Sequence, residues 1–327
     1  MESTFIKSVN FKEFKGTEDQ YHKNKDYVSK SALSLIKVSP AHYKEPEEKP
    51  ETDALIFGSA YHCYVLEPER FERDYYIFDE QNAISAIIAK ANSEGKDVQK
   101  VRATKAYKEW LKGQEKVSAG KKMITKDLFD RIERMKERLF RHPYAKMLLT
   151  NGRPEVSYMG SIETETGTIN VKFKPDYIKD TKHLVVDLKT AADASIDGFT
   201  RAAADHDYHI QAAFYADLMT KIEGQNRDFT FMFIAQEKVS PFAFNIFEAS
   251  PQFMAQGRYE YEMLLQLYKF CLDNDRWPGY QVFCQNKYGI LELKLPAWSI
   301  KDLTYYDHID RKISKQKELS ITNGEDN

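Results

Sequence analysis

Residues 172–190 read KFKPDYIKDTKHLVVDLKT, and this stretch decides the predicted fold. Thr168–Ile178 alternates apolar and polar residues as a half-buried strand does, and Leu184–Thr190 is a second strand of the same kind. The polar residues 179–182 between them predict a tight turn, so the two strands form an antiparallel hairpin. Together with a preceding strand over Val156–Gly160, they predict an antiparallel meander.

Three charged side chains lie where these two strands meet. Asp176 follows a proline at the end of one strand, and Asp187 and Lys189 lie within the next. Because side chains alternate along a strand, Asp187 and Lys189 point to one face, while Val186 and Leu188 point into the core. The hairpin brings Asp176 opposite this edge, so two carboxylates and one ammonium share one site.

Such a group of charges suits a metal-dependent hydrolase. Two neighbouring carboxylates repel each other unless a positive charge lies between them, and a hard divalent cation is the usual partner. A lysine beside that cation has a lowered pKa and can position or deprotonate water, which is what hydrolysis of a phosphodiester requires. The pattern of Pro-Asp followed by Asp-x-Lys is loose, however, and a surface hairpin with an ordinary salt bridge also explains it.

Four further polar residues are candidates for the same site. Glu155 lies at the start of the preceding strand and either reaches the same sheet edge or is a solvated strand-end carboxylate. Gln211 and Tyr215 lie one turn apart on a predicted helix, where they either orient Lys189 or form a surface pair with Tyr215 in the core. His62 follows small residues on an apolar helix, so it is either a metal ligand or a core histidine.

The remaining patterns predict a mixed α/β fold with a five-stranded mixed sheet flanked by helices. The predicted helices cover 29–42, 53–68, much of 81–150, 209–220 and 253–272, and two more strands cover 229–235 and 242–247. We divide the chain into an N-terminal helical region (1–150) with the His62 helix and a basic stretch, a sheet-containing core (151–298) and a charged tail (299–327).

Composition excludes several classes of protein. The 327 residues are 42% hydrophobic, enough for a sizeable core, and contain no apolar run long enough to span a membrane. The N-terminus has no apolar signal segment. The three cysteines form no CxxC pair, which argues against a disulfide framework, a structural zinc site or an iron–sulfur cluster, and favours the reducing cytoplasm.

Charge is balanced overall but unevenly distributed. The chain has 48 Lys and Arg against 50 Asp and Glu, which excludes a globally basic nucleic-acid binder. Between Lys96 and Lys146, however, there are 16 Lys and Arg against 7 Asp and Glu. This basic stretch is either a solvated helical face or a local surface for a polyanion.

Several weak motifs occur in an order that resembles the exodeoxyribonuclease VIII (RecE-type) branch of the PD-(D/E)XK nucleases. The resemblance extends from about Tyr27 to Tyr280. The matching segments are SKSALSLIKVSPAHY (29–43), FGSAYH (57–62), RATKAYKEW (102–110), GKKMITKDLFDRIERM (120–135), PEVSYMG (154–160), KFKPDYI (172–178), VVDLKT (185–190), QAAFY (211–215) and WPGY (277–280). The long N-terminal extension of the founding exonuclease has no counterpart, so we expect the nuclease domain alone.

The resemblance implies a Mg²⁺-dependent exonuclease, with Mn²⁺ as a substitute, that degrades double-stranded DNA ends 5′→3′ and leaves 3′ single-stranded tails. The implied metal ligands are His62, Asp176, Asp187 and the backbone carbonyl of Leu188, and the implied catalytic base is Lys189. Glu155 matches a supporting carboxylate, and Gln211 with Tyr215 matches the QxxxY motif. The resemblance also implies a ring-shaped homo-oligomer and a single-strand annealing partner of the RecT type in phage-type recombination.

Such a nuclease must hold a polyanion without reading its sequence, which requires Lys and Arg contacts to phosphate. The candidate contacts are Lys105, Lys108 and Lys112 in the basic stretch, Lys172 and Lys174 just before Asp176, and Ser29, Lys30 and Ser31 at a helix N-terminus. The last group could hold a 5′-phosphate, although helix capping explains the serines equally well.

Two other functions fit the same residues. A PD-(D/E)XK-type module could bind DNA or a partner without cutting, but binding alone does not require both aspartates and the lysine. The second alternative is a RecB-like or CRISPR-associated nuclease of different polarity, and the lack of a cysteine cluster argues against its iron–sulfur forms. Digestion of linear, nicked and circular duplex with Mg²⁺ or EDTA distinguishes these functions.

Overall fold

The alternating and helical patterns of the sequence are realised in ten strands and twelve α-helices along the described chain. The computed structural model describes residues 5–47, 50, 52–97, 99–224, 228–284, 288, 290–299, 307 and 309–315. The strands are β1 (Ser8–Glu13), β2 (Tyr75–Phe78), β3 (Lys122–Thr125), β4 (Arg153–Pro154), β5 (Tyr158–Thr164), β6 (Gly167–Phe173), β7 (Tyr177–Lys179), β8 (Leu184–Ala191), β9 (Thr230–Glu237) and β10 (Phe244–Glu248). The α-helices are α1 (Glu18–Lys23), α2 (Lys30–Val38), α3 (Pro40–Lys44), α4 (Asp53–Leu66), α5 (Pro68–Asp74), α6 (Glu80–Ser93), α7 (Lys105–Val117), α8 (Lys126–Phe140), α9 (Pro143–Leu148), α10 (Ile196–Asp205), α11 (Tyr208–Glu223) and α12 (Pro251–Asn274).

The central sheet has five strands in the order β10-β9-β8-β7-β4. Strands β8 and β9 are parallel, and the other neighbours are antiparallel, so the sheet is mixed. A separate three-stranded antiparallel sheet has the order β1-β5-β6, and β2 pairs in parallel with β3. The predicted α/β class with a five-stranded mixed sheet flanked by helices is therefore confirmed.

The meander predicted as one sheet is divided between two. The strand predicted over 168–178 ends at Phe173 in β6, and the chain resumes in β7 at Tyr177 in the other sheet. Pro175 lies in the break, because a proline has no N–H for the ladder and restricts the residue before it. Asp176 therefore lies at the point where the chain passes from one sheet to the other.

Hydrophobic side chains cover both faces of the central sheet. On one face Val185 and Phe231 pack in a core with α2, α11 and α12, and on the other Val186 and Leu188 pack in a second core with α4, α8 and α9. Val185, Val186 and Leu188 are fully buried. Successive side chains of β8 thus pack into two different cores, and Val186 and Leu188 are buried as predicted.

Two prolines near the ends of predicted helices begin new helices. The helix predicted over 29–42 ends at Val38 in α2, and Pro40 is the first residue of α3. Pro68 is likewise the first residue of α5. The first helical position tolerates proline because its missing N–H has no intrahelical partner there. The strands β1, β2 and β3 and the helix α10 were not predicted.

The compact units of the chain differ from the predicted regions. Met1–Gly279 forms one unit and Tyr280–Asn327 another, so no boundary falls at residue 150. The N-terminal residues belong with the sheet region, because β1 pairs with β5. Most of the predicted tail, 299–327, lies outside the described residues. None of the described helices combines the length and the apolar character needed to cross a bilayer.

Candidate metal and catalytic site

Three side chains from separate segments converge beside the end of β7. His62 of α4, Glu155 between β4 and β5, and Asp176 before β7 have ligand atoms that all lie within 4.8 Å of one another. His62 Nδ1 is 3.4 Å from Asp176 Oδ2. One imidazole and two carboxylates are a donor set that divalent cations accept. Asp187 is not part of this group, whereas Glu155, predicted as a supporting carboxylate, is.

Glu155 is held in an uncommon backbone conformation. Its φ is 51°, in the left-handed region that non-glycine residues rarely adopt. Its N–H donates to the carbonyl of Asp176 at 2.9 Å, and its carboxylate lies 2.6 Å from Lys174 Nζ. These two contacts fix the carboxylate beside Asp176, and strained residues of this kind cluster at functional sites.

Asp187 and Lys189 form the second part of the site, linked by Gln211 of α11. Gln211 Nε2 donates to Asp187 Oδ1 at 2.5 Å, and Lys189 Nζ donates to Gln211 Oε1 at 3.2 Å. Lys189 Nζ also lies 2.7 Å from Asp187 Oδ2 and 4.8 Å from the centre of the Tyr208 ring. The sequence therefore placed Gln211 correctly near Lys189, and Tyr208 was missed.

The buried carboxylate of Asp187 is already paired with a cation. Asp187 is 1% exposed, and its Oδ2 lies 2.7 Å from Lys189 Nζ. A buried anion is costly unless a positive charge compensates it, and Lys189 supplies that charge in the metal-free protein. The fit to a metal therefore rests on His62, Glu155 and Asp176, whose ligand atoms lie within 4.8 Å of one another.

The backbone of Leu188 joins the two parts. Its N–H donates to Asp176 Oδ2 at 2.9 Å. This N–H is on the side of β8 that pairs with β7, just before the first residue of β7. The N–H and C=O groups of one residue in a strand point to the same side, so the Leu188 carbonyl also faces Asp176. Its position fits the implied role as a backbone ligand.

Burial and charge shift the titration of these groups. Burial, followed by the charges of Asp187 and Glu155, raises the pKa of Asp176 well above its ordinary value. Burial lowers the pKa of His62, which favours the neutral imidazole that binds metals. Burial alone would lower the pKa of Lys189, but Asp187 and Asp176 outweigh it, and the pKa is raised. Carboxylates that repel each other beside a neutral imidazole are the arrangement that a dication stabilises.

Tyr215 lies on the same face of α11 as Gln211, as the spacing predicted. It packs against Phe173, with ring centres 5.4 Å apart, and burial raises the pKa of its hydroxyl well above the ordinary value. Lys189, Gln211 and Tyr215 together line an opening of about 700 Å³. Tyr215 is thus partly a core residue and partly a wall of the site.

Lys172 is not placed to contact phosphate, which corrects that prediction. It is 6% exposed, and its Nζ donates to the carbonyls of Tyr21 at 2.7 Å, His22 at 3.4 Å and Asn24 at 2.6 Å. The ammonium therefore binds the last carbonyls of α1, which a helix end leaves without partners. Lys174, two residues on, instead lines an opening of about 820 Å³ beside His62, Glu155 and Asp176.

The helix N-terminus at Ser29 has a structural role, and its predicted role in phosphate binding remains a prediction. Ser29 Oγ caps α2 by accepting from the N–H of Ala32 at 3.3 Å. Lys30 Nζ donates to the carbonyl of His206 at 2.7 Å, and burial lowers the pKa of Lys30 to about 8. Lys30 and Ser31 both line the opening that contains Lys189.

The predicted basic contacts Lys105, Lys108 and Lys112 lie on one exposed face of α7. Lys105 forms an ion pair with Glu109 at 3.7 Å, and no ion pair involving Lys108 or Lys112 occurs among the described side chains. Helix α7 is joined to β2 by a hydrogen bond between the side chains of Tyr76 and Gln114, and Tyr75 of β2 lines the 820 Å³ opening. The helix that carries the lysines is thus bonded to a strand that borders the opening.

Glu18 and Arg70 are two of the charged residues lining this opening that were not predicted from the sequence. Glu18 of α1 contacts Arg70 of α5 and lies 3.3 Å from Lys174 Nζ. Glu18 and Arg70 are 52 positions apart. No local pattern of the sequence connects them, because their proximity depends on the packing of separate helices.

The sequence matches the family model described as "PDDEXK-like domain of unknown function (DUF3799)" over residues 29–287. No curated protein matches the chain. Among solved structures, "Putative exonuclease" from Eubacterium rectale is similar at 17% identity and a TM-score of 0.52, covering 86% of this chain and 96% of that one. This likeness supports the fold.

Two further solved structures align with TM-scores too low to indicate a shared fold. They are SSO0001, at 13% identity and a TM-score of 0.26 with 78% of this chain and 88% of that one covered, and Rai1 from Scheffersomyces stipitis in complex with (3′-NADP)⁺ and calcium, at 13% and 0.20 with 82% of each chain covered. The family model covers most of the sequence and includes every candidate ligand. The chain therefore belongs to the family of PDDEXK-like domains.

Proposed function

We propose that the protein is a divalent-metal-dependent exodeoxyribonuclease that degrades double-stranded DNA from 5′ ends. The observation that carries this proposal is the convergence of His62, Glu155 and Asp176 beside the linked pair of Asp187 and Lys189. Membership of the PDDEXK-like family and the fold both support a nuclease. The direction of degradation, the choice of Mg²⁺, the ring-shaped oligomer and an annealing partner rest on the sequence resemblance.

The residues present would hold the cation and position the reacting groups. His62, Glu155 and Asp176 would bind it, with Asp187 and the Leu188 carbonyl completing the site. When bound, a divalent cation stabilises the charge that develops on the phosphoryl oxygens and favours ionisation of the attacking water. The acidic floor of the opening needs such a cation before a phosphodiester can approach it.

Lys189 supplies the proton-transfer group. In the metal-free protein its ammonium is stabilised by Asp187 and Asp176, so it carries its proton. Loss of that proton becomes favourable only when the charges of these carboxylates are neutralised. Gln211 fixes both partners, because its amide donates to Asp187 and accepts from Lys189. Lys189 is then held within reach of a water or a phosphate oxygen.

The test is digestion of duplexes carrying a label at the 5′ or the 3′ end, with 5′-phosphate or 5′-hydroxyl termini, compared with nicked and closed circular DNA. We expect cutting with Mg²⁺ or Mn²⁺, binding without turnover with Ca²⁺, and early release of the 5′ label. Robust digestion in excess EDTA would refute the metal assignment, and early release of the 3′ label would refute the polarity. Binding without cutting in every cation would favour the non-cutting module.

A further inference from the structure

One carboxylate bridges two cations at the opening beside the candidate metal group. Glu18, in the first turn of α1, contacts Arg70 through Oε2 and lies 3.3 Å from Lys174 Nζ through Oε1. The side chain of Glu18 is 42% exposed, so the bridge faces solvent. Lys174 also lies 2.6 Å from Glu155, one of the three converging residues. The bridge is therefore directly connected to the metal group.

The charges around this opening favour a cation and oppose DNA. Among the described residues that line it, the acidic side chains are Glu18, Asp19, Glu67, Asp74, Glu155 and Asp176, and the Lys and Arg side chains are Arg70, Lys122 and Lys174. The single negative charge of Glu18 is shared between two of these three cations, Arg70 and Lys174. A DNA backbone entering here needs them, because contacts to phosphate supply most of its affinity.

The two cations keep their positions without Glu18. Arg70 donates to Glu67 at 2.6 Å and to Asp74 at 3.2 Å, both within the same stretch of chain. Lys174 is held by Glu155. A phosphodiester presents two non-bridging oxygens on one atom, much as a carboxylate does, and guanidinium groups bind both. A phosphate can therefore replace the Glu18 carboxylate oxygen for oxygen.

We propose that Arg70 and Lys174 bind a backbone phosphate of the DNA substrate and that Glu18 occupies their site until DNA displaces it. This inference rests on the proposed function, because the ligand is the polyanion that the nuclease would cut. In this proposal Glu18 competes with DNA phosphate for the two cations, and Arg70 contacts the substrate.

Glu18 carries its charge across the neutral range. The His22 imidazole, 3.7 Å away, holds the pKa of Glu18 well below its ordinary value despite partial burial, and the charges of Lys174 and Arg70 act in the same direction. Glu18 is therefore an anion at neutral pH. Replacement by a neutral side chain of the same shape removes the competitor and leaves the cations.

The test measures binding of an end-labelled duplex in Ca²⁺ by fluorescence anisotropy, together with cutting in Mg²⁺. We expect Glu18→Gln to tighten binding about fivefold, the effect of losing one competing surface ion pair. The matched control is Glu292→Gln, which removes the same charge from an exposed pair with Lys294 at 3.1 Å, outside the basic stretch. It should leave the affinity near that of the wild type.

A second variant tests the assigned partner. In a Lys174→Gln background, DNA binding should weaken, and the slope of log affinity against log salt concentration should fall by about 0.9. The increase in affinity caused by Glu18→Gln should also be smaller in this background. The thermal midpoint of Glu18→Gln should be unchanged or lower, which separates lost competition from a general gain in stability.

The outcomes separate the two proposals. If the wild type cuts DNA but Glu18→Gln binds like Glu292→Gln, or more weakly, the inference is wrong and the proposed function stands. If the wild type neither binds nor cuts duplex in any cation, the proposed function is wrong and this inference is overturned with it.

Discussion

Gln211 makes Asp187 and Lys189 a single unit, because a primary amide is a donor at one end and an acceptor at the other. A glutamate here would repel Asp187, and a lysine would repel Lys189. The amide lies between an anion and a cation and hydrogen-bonds to both. The position of Lys189 is therefore determined by α11 as well as by its own strand.

Removal of Lys189 should separate chemistry from folding. We expect Lys189→Ala to lower turnover by roughly a thousandfold or more while DNA and metal binding are largely retained, because the ligands and both cores are unchanged. Lys182→Ala, at an exposed turn, is the control and should cut normally. A near-normal rate for Lys189→Ala in single-turnover assays would mean that Lys189 is only a salt-bridge partner of Asp187.

The role of His62 as a metal ligand can be tested by varying the metal concentration. If it is a ligand, His62→Ala should weaken metal affinity, and raised Mn²⁺ should partly restore cutting, because excess ligand offsets a lost contact. The control is His142→Ala, since His142 Nδ1 caps α9 by accepting from the N–H of Ala145 at 3.3 Å. That variant should lose stability without rescue by metal. Normal metal dependence in His62→Ala, measured by activity against Mn²⁺ concentration, would contradict a ligand role.

At the scale of elements, the break between β6 and β7 explains what the sequence predicts and what it does not. The alternation in Leu184–Thr190 correctly predicted β8 and the shared face of Asp187 and Lys189. The same pattern over 168–178 predicted one strand, because periodicity does not show which sheet each half joins. Only the proline marked the change of sheet.

Lys172 should stabilise the protein without binding DNA. Its three contacts to α1 carbonyls lie away from solvent, so Lys172→Met leaves buried acceptors unsatisfied. We expect the free energy of unfolding to fall by about 2–3 kcal/mol, with duplex affinity unchanged. Lys12→Met, at an exposed position of β1, is the control for denaturant titrations. Lower DNA affinity at unchanged stability would restore the predicted phosphate contact.

An acid-sensitive contact connects α2, α11 and α12. Glu260 contacts Lys37 at 2.7 Å and His209 at 3.0 Å, and Lys37 also contacts Asp207 at 2.6 Å. Burial would raise the pKa of Glu260, but hydrogen bonds from Gln256, Lys37 and His209 outweigh it and lower it from 4.5 to about 2.

A carboxyl group with a lowered pKa stabilises the folded state above its unfolded pKa, and this contribution is lost as the pH falls through its folded pKa. The difference in stability between the wild type and Glu260→Gln should therefore be largest above pH 4.5 and shrink towards pH 2. Denaturant titrations of both proteins across this range measure it. A constant difference would contradict the lowered pKa.

At the scale of the whole molecule, local sequence patterns predicted many of the helices and strands. They did not predict which distant strands pair with each other. His62 and Asp176 could be predicted as candidate ligands because each lies in a recognisable segment of the sequence. The pairing of β1 with β5, and that of β2 with β3, could not, because each joins segments far apart in the chain. The contact between Arg70 and Glu18 could not be predicted for the same reason.

The basic face of α7 can be tested as a DNA path. The net charge of −2 means that attraction must come from a local surface. If Lys105, Lys108 and Lys112 each contact a phosphate, their joint replacement by alanine should lower the slope of log affinity against log salt by roughly 2.7. A single cut at saturating DNA should change little. Superimposable salt titrations would mean that this face meets only solvent.

The two cores on either side of β8 make the length of this strand more critical than the identity of most of its residues. Deletion of one residue before Asp187 would turn every later side chain to the opposite face. Asp187 and Lys189 would enter the core that contains Val186, and Leu188 would face Gln211. A scan of single-codon deletions should therefore find β8 intolerant, even at positions where conservative substitutions are accepted.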